Sequence, residues 1–138
     1  MISAFEKRSP TIFIIQVSKT RLASDSLVLD SFDRVYIPLA EKTNILGWIQ
    51  QHQPDLIILD LQRSEIIDWG IVTILKLDWL TRNIPILVIS NEFSNRFQCV
   101  QNFNCDACLI KPYTIVELEE AICSLVYVRA CQTYAISR

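Results

Sequence analysis

The chain has 138 residues, of which 51% are hydrophobic and 20% charged, and its formal net charge is −2. These values are typical of one folded domain with one hydrophobic core, and they exclude a disordered chain. They also argue against nucleic acid as a partner, because phosphate backbones are bound by clustered Lys and Arg. No apolar run is long enough to cross a bilayer. Five cysteines, an odd number, favour reduced thiols over a disulfide framework, so we expect a cytoplasmic protein.

The first half of the chain alternates between strand and helix patterns. Residues 1–10 form an N-terminal extension without a clear pattern, and "TIFIIQV" (11–17) then predicts a strand buried on both faces. A weak helical pattern over 19–31 precedes a short strand, "RVYI" (34–37), which stops before Pro38. The next helix is predicted over 43–52, with His52 as a surface residue at its C-terminus. The third strand is "DLIILDL" (55–61).

The alternation continues in the second half. A helix is predicted from Asp68, as N-cap, to about Arg82. Strands follow at "PILVIS" (85–90) and "ACLIK" (107–111), separated by a short helix over 92–102. The last helix begins with a capping box formed by Thr114 and Glu117.

This order of elements predicts an α/β fold, a doubly wound (βα)₅ unit with a five-stranded parallel sheet covered on both faces. We assign residues 11–127 to this domain, and residues 128–138 to a C-terminal helix extension or tail. Ligands of such sheets bind beyond the carboxyl ends of the strands. Asp60, Ser90 and Lys111 lie at the ends of the third, fourth and fifth strands and are therefore expected at the same edge.

Three motifs resemble those of response-regulator receiver domains, the family that accepts a phosphoryl group from a histidine kinase. "PDLIILDL" is similar to the third strand of the family, "PILVIS" to the fourth, and "LIKPY" to the Lys-Pro-aromatic signature after the fifth. The resemblance covers residues 11 to about 127 and implies a flavodoxin-like sheet with strand order 2-1-3-4-5. It implies that Asp60 is the phosphoacceptor, that Ser90 bonds the phosphoryl oxygen, and that Lys111 pairs with the acceptor.

The sequence departs from the family where receivers carry the acidic pair that binds Mg²⁺. Gln16 and Val17 occupy that place (Val17 and Ser18 if the register is shifted by one), and neither pair offers an anionic ligand. We therefore expect no metal and no cofactor, and an atypical receiver, or pseudo-receiver, that is not an enzyme. The alternative is a single-domain response regulator that is phosphorylated on Asp60 with Mg²⁺. A flavodoxin-like binding protein is a third possibility, but no phosphate-binding loop follows the first strand.

Several apolar residues are candidates for contacts with partner proteins. The helix "GIVTILKLDWLTRN" is apolar nearly all round, which is typical either of close packing or of a contact surface. An atypical receiver would act through a partner such as a sensor kinase or an output regulator, or as a homodimer. The "CDAC" motif (105–108) also permits a redox or zinc site, although its cysteines are more often core residues. The candidate interface residues are Trp69, Trp79, Phe93, Phe97, Cys108 (at the position of the family's switch aromatic) and Tyr113.

Overall fold

The computed structural model describes residues 10–16, 30–38, 42–60, 66–90, 100–101 and 104–137, and for 42–43, 66–69 and 128–137 it describes the backbone alone. Within these ranges, no helix is both long enough and apolar enough to cross a membrane. The strands are β1 (Thr11–Gln16), β2 (Asp33–Pro38), β3 (Leu56–Asp60), β4 (Ile86–Ser90) and β5 (Ala107–Ile110), and the helices are α1 (Lys42–His52), α2 (Ile66–Leu77) and α3 (Ile115–Ser137).

The five strands form one parallel sheet in the order β2-β1-β3-β4-β5. This confirms the predicted doubly wound sheet and its strand order. β3 and β4 are buried along their whole length, because both faces of the sheet are covered. Their continuous runs of Leu, Ile and Val are the sequence pattern of such central strands.

Alternate side chains of the central strands point into two cores, one on each face of the sheet. On one face, Phe13 and Leu59 pack with Ile45 of α1 and with Val72 and Leu75 of α2. On the other face, α3 contributes its apolar stripe to the core. The members of this second core are Ile12, Ile14, Leu56, Ile58, Leu87, Ile89, Leu109, Leu118, Ile122 and Leu125.

Two aspartates at the amino edge of the sheet bond the neighbouring strand in the same way. The Asp55 backbone N–H donates to the Thr11 carbonyl at 2.8 Å, and its carboxylate accepts the Thr11 N–H at 2.9 Å. Asp106 repeats the arrangement, with its N–H donating to the Ile86 carbonyl at 3.0 Å and its carboxylate accepting the Ile86 N–H at 2.8 Å. Each aspartate thus satisfies backbone groups at the start of a strand, which would otherwise lack partners.

The predicted elements match the observed ones closely, with one correction among the helices. The predicted helix from Asp68 to about Arg82 begins earlier, at Ile66, and ends earlier, at Leu77. It ends there because a hydrogen-bonded turn follows, in which the buried Thr81 hydroxyl donates to the Leu75 carbonyl at 2.7 Å.

The remaining helix predictions are tested to different extents. The capping box before α3 is confirmed, since the Thr114 hydroxyl accepts the Glu117 N–H and the Glu117 carboxylate accepts the Thr114 N–H, both at 3.1 Å. Most of the predicted helices over 19–31 and 92–102 lie outside the described residues. Asp30 and residues 100–101 of those ranges are helical.

Candidate functional site

Two buried polar side chains end neighbouring strands at the carboxyl edge of the sheet. Gln16 is the last residue of β1, Asp60 is the last residue of β3, and the two are Cα partners in the parallel ladder. Each is 7% exposed. Strand alternation places both on the face covered by α3, so an amide and a carboxylate lie side by side where the apolar strands end.

The Asp60 carboxylate forms an ion pair with Lys111, which directly follows β5. The Lys111 Nζ atom lies 2.8 Å from Asp60 Oδ1, and the side chains are 28% and 10% exposed, respectively. Among the described residues, Asp60 Oδ1 has no hydrogen-bond partner besides this ion pair, and the buried Gln16 Oε1 has none. The pair stabilises the buried carboxylate, and the amide oxygen beside it is left as an unsatisfied acceptor.

Ser90 ends β4 and is fully buried. Its backbone carbonyl accepts the Lys111 N–H at 2.9 Å. In the β3–β4 register Asp60 is opposite Ile89, so Ser90 lies one residue further along the strand than Asp60. The three polar residues that the sequence placed at this edge therefore do occupy adjacent strand ends, and the direct side-chain contact is between Asp60 and Lys111.

Tyr113 is an additional neighbour of the acidic group. It lies two residues beyond Lys111, after a cis Lys111–Pro112 peptide bond, and packs against the core on the α3 face. Burial, together with the charge of Asp60, raises the pKa of Tyr113 to about 12. From the sequence, Tyr113 was expected as an interface residue. The signal that could have placed it near Asp60 is its position in "LIKPY", two residues after Lys111.

The other interface candidates differ in where they lie. Trp79 is 73% exposed, in the turn after α2. Cys108 is instead buried, at 4% exposure, in the core on the side of α1 and α2, because it occupies an inward-facing position of β5. Trp69 lies in α2, but its side chain is outside the described residues, as are Val17, Phe93 and Phe97.

The cysteines do not share one chemical state. Cys105 and Cys123 are free thiols, whereas Cys108 is disulfide-bonded, which corrects the expectation that the cysteines are all reduced. Burial raises the pKa of the Cys105 thiol to about 11. Within the described ranges, no three His, Cys, Asp or Glu side chains are grouped so that they could hold a metal ion.

A cavity of about 340 Å³ lies between β2 and α1. Its walls are mainly apolar and include Phe13, Ile37 and Trp48, with His52 at one side. The His52 Nδ1 atom lies 2.8 Å from the Trp48 carbonyl oxygen, and its ring packs against Phe13 with centroids 5.7 Å apart. The residues that line the cavity do not include Gln16, Asp60, Ser90 or Lys111.

Comparison with solved structures identifies the architecture. The chain superimposes on a response regulator from Desulfuromonas acetoxidans with a TM-score of 0.66 and 18% identity, covering 86% of this chain and 98% of that one. The chemotaxis response regulator CheY4 of Vibrio cholerae gives a TM-score of 0.67 at 16% identity, with 85% and 98% covered. The chain has the receiver fold.

A third receiver structure extends the match over more of the chain. The signal receiver domain of an HD domain-containing protein from Pseudomonas fluorescens Pf-5 gives a TM-score of 0.73 at 12% identity and covers 93% of this chain and 94% of that one. No family model and no curated protein matches the sequence. The receiver fold is therefore shared at low sequence identity. This likeness establishes the architecture of the chain and not its function.

Proposed function

We propose that this chain is an atypical receiver: a signalling module that acts through protein–protein contacts and is not phosphorylated on Asp60 with Mg²⁺. The observation that carries the proposal is the pairing of Asp60 with Lys111 at 2.8 Å beside a neutral amide, Gln16. The receiver fold supports a role in two-component signalling, with a sensor kinase or an output regulator as the partner.

The described groups at the carboxyl edge do not fit Mg²⁺. Of the five described strand ends, Asp60 alone carries a carboxylate, and Mg²⁺ is held by carboxylates, waters and phosphate oxygens. The charge of that single carboxylate is already offset by Lys111. Gln16 offers one neutral carbonyl oxygen, so the net charge of the three side chains is zero and attracts no divalent cation.

Phosphorylation would also be electrostatically unfavourable at this site. A phosphoryl group adds about 1.5 to 2 negative charges, and charge that develops during phosphoryl transfer is normally neutralised by the metal. Lys111 can offset only part of this charge. The Asp60 side chain is also only 10% exposed, which restricts the approach of a phosphodonor. The neutral pair is accordingly a structural remnant that shapes the edge for a protein partner.

One observation favours the phosphorylated alternative. Within the part of the chain that the structure describes, Gln16 Oε1 has no hydrogen-bond partner and Asp60 Oδ1 has none besides the ion pair with Lys111, and unsatisfied acceptors of this kind are often completed by a ligand. In that case Asp60 would be the acceptor, Lys111 would pair with the phosphoryl group, and the Ser90 hydroxyl would bond it.

A titration with beryllofluoride and Mg²⁺, followed by calorimetry and by amide NMR shifts around Asp60, separates the two functions. We expect no saturable binding to the wild type, and measurable Mg²⁺ binding once Gln16→Asp supplies a second carboxylate. Incubation with acetyl phosphate and intact-mass spectrometry should show no adduct on the wild type.

Asp60→Asn is the matched control, because it removes the acceptor charge while keeping the shape of the side chain. A wild-type binding isotherm or mass adduct that disappears in Asp60→Asn would overturn the proposal in favour of the phosphorylated alternative. If Gln16→Asp gains no affinity for Mg²⁺, the explanation based on the missing carboxylate is wrong.

A further inference from the structure

The C-terminal end of α2 and the turn after it expose four large apolar side chains within seven residues. We call these residues the apolar turn surface. The largest exposed apolar patch of a protein is often a functional surface. Its members and their exposed fractions are Ile74 (50%), Leu77 (78%), Trp79 (73%) and Leu80 (45%).

Backbone hydrogen bonds hold this segment in a fixed conformation. The Asp78 N–H donates to the Ile74 carbonyl at 3.1 Å, and the Asp78 carbonyl accepts the N–H groups of Thr81 at 3.1 Å and Arg82 at 2.8 Å. The Asp78 carboxylate accepts the Leu80 N–H at 3.1 Å. The turn is therefore closed on itself, and its apolar side chains project outward because the backbone directs them there.

Neighbouring elements also fix the turn. From α1, the Gln50 amide donates to the Asp78 carboxylate at 3.1 Å. The Gln53 amide, just after α1, donates to the Leu80 carbonyl at 3.0 Å. Lys76 donates to the carbonyl of Ile84 at 3.3 Å and to the Asp106 carboxylate. A surface held in this way loses little conformational entropy on binding, which favours association.

The exposed area is close to what one side of a stable dimer requires. With about 200 Å² for each fully exposed large apolar side chain, the four exposed fractions correspond to roughly 500 Å². A standard interface buries about 800 Å² per partner, of which about 60% is apolar. The apolar turn surface therefore supplies about the whole apolar share of one half-interface.

We propose that the apolar turn surface binds the same surface of a second copy of this chain, about a two-fold axis. Such an interface must be self-complementary. An apolar centre meets this condition, because the same apolar side chains of the two copies can pack against each other across the axis. The surface follows the C-terminal end of α2, at the amino edge of the sheet. A dimer formed there leaves the Asp60 edge open to another partner.

This inference does not depend on the proposed function, and sedimentation velocity over a concentration series tests it. We expect the wild-type chain to reach twice its monomer mass of 15.9 kDa as concentration rises, and to form no larger species. Leu77→Lys and Trp79→Lys should each raise the dissociation constant at least about tenfold, since central apolar and Trp side chains dominate such interfaces. A positive charge is acceptable to the fold here, near the C-terminus of a helix.

Val116→Lys is the matched control, because Val116 is an apolar side chain that is 61% exposed near the start of α3. It should leave the dimer intact. Thermal unfolding of each variant at low concentration verifies that the monomer is folded. The proposal is overturned if the wild type stays monomeric at every concentration, if it assembles beyond a dimer, or if Leu77→Lys and Val116→Lys affect association equally.

Discussion

Two lysine–aspartate pairs lie at opposite edges of the same sheet, and their surroundings differ. At the amino edge, Lys76 contacts the Asp106 carboxylate and also donates to the carbonyls of Arg82 at 3.4 Å and Ile84 at 3.3 Å. The same carboxylate accepts the Ile86 N–H at 2.8 Å. This pair therefore joins the end of α2, the following turn and the starts of β4 and β5.

At the carboxyl edge, the pair of Asp60 and Lys111 is surrounded differently. Apart from the ion pair with Lys111, the buried Asp60 Oδ1 has no hydrogen-bond partner among the described residues. The two ion pairs therefore have different roles. A carboxylate that also accepts a backbone N–H is part of the fold, whereas a buried carboxylate with unused acceptor capacity belongs to a site, or to the remains of one.

The largest effect is expected from Lys76→Met. This variant should lower the free energy of unfolding by about 3 kcal/mol, because it removes three hydrogen bonds of one ammonium group, each worth about 1 kcal/mol at this partly exposed site. Urea unfolding measures the change, and Arg82→Met, an exposed cation in the same segment, is the control with an expected change below about 0.5 kcal/mol. If Lys76→Met lowers the free energy of unfolding by less than about 1 kcal/mol, the Lys76–Asp106 pair does not hold these elements together.

Lys111→Met should lower the free energy of unfolding by about 2 kcal/mol, because Asp60 then remains as an uncompensated buried charge. Partial exposure of the site keeps the loss from being larger. Adding Asp60→Asn should recover more than half of that loss, because the remaining side chain is neutral. If the double variant is as unstable as Lys111→Met alone, the Asp60 charge is not the cause of the loss.

A pH effect of a single group is expected at Tyr113. Its pKa rises from the usual 10.0 to about 12 in the folded protein, so the folded state keeps a proton that the unfolded state loses. The corresponding stability is fully present below about pH 10 and is lost as pH rises towards 12. Unfolding experiments at alkaline pH should show a shallower decline for Tyr113→Phe than for the wild type. Equal declines would show that Tyr113 is not shielded by the core and Asp60.

The smallest effect concerns a thiol at the amino edge. Burial raises the pKa of Cys105 from the usual 9.0 to about 11, whereas Cys123 is exposed. Because the thiolate is the reactive form, iodoacetamide at neutral pH should modify Cys123 at least about tenfold faster than Cys105, as measured by peptide mass spectrometry. Comparable rates would show that the amino edge opens readily to solvent.

The parts of the fold that depend on local sequence could be predicted. The apolar runs gave all five strands to within about two residues at either end, and the Thr114–Glu117 capping box gave the start of α3. The Asp60–Lys111 contact could also be predicted, because the carboxyl ends of parallel strands lie at the same edge of the sheet.

The features that the sequence did not reveal depend on tertiary contacts. α2 was predicted to continue to Arg82, but it ends at Leu77, since Asp78 and Thr81 form a competing turn that groups from α1 support. The Lys76–Asp106 pair joins residues 30 positions apart, and no spacing in the chain indicates such a contact. The sequence also did not indicate that Cys108 is disulfide-bonded, because an odd number of cysteines does not show which of them are paired.

The paired bonds that Asp55 and Asp106 make at the strand starts have a consequence for alignment. Each aspartate forms hydrogen bonds with both the N–H and the carbonyl of one residue on a neighbouring strand, Thr11 or Ile86. A shift of the strand register by one residue would therefore break two hydrogen bonds at once. Such a shift would also exchange the side chains that face the two cores. Asp55 thereby sets which residue of β1 ends opposite Asp60, and a slip there would move Gln16 away from the acid.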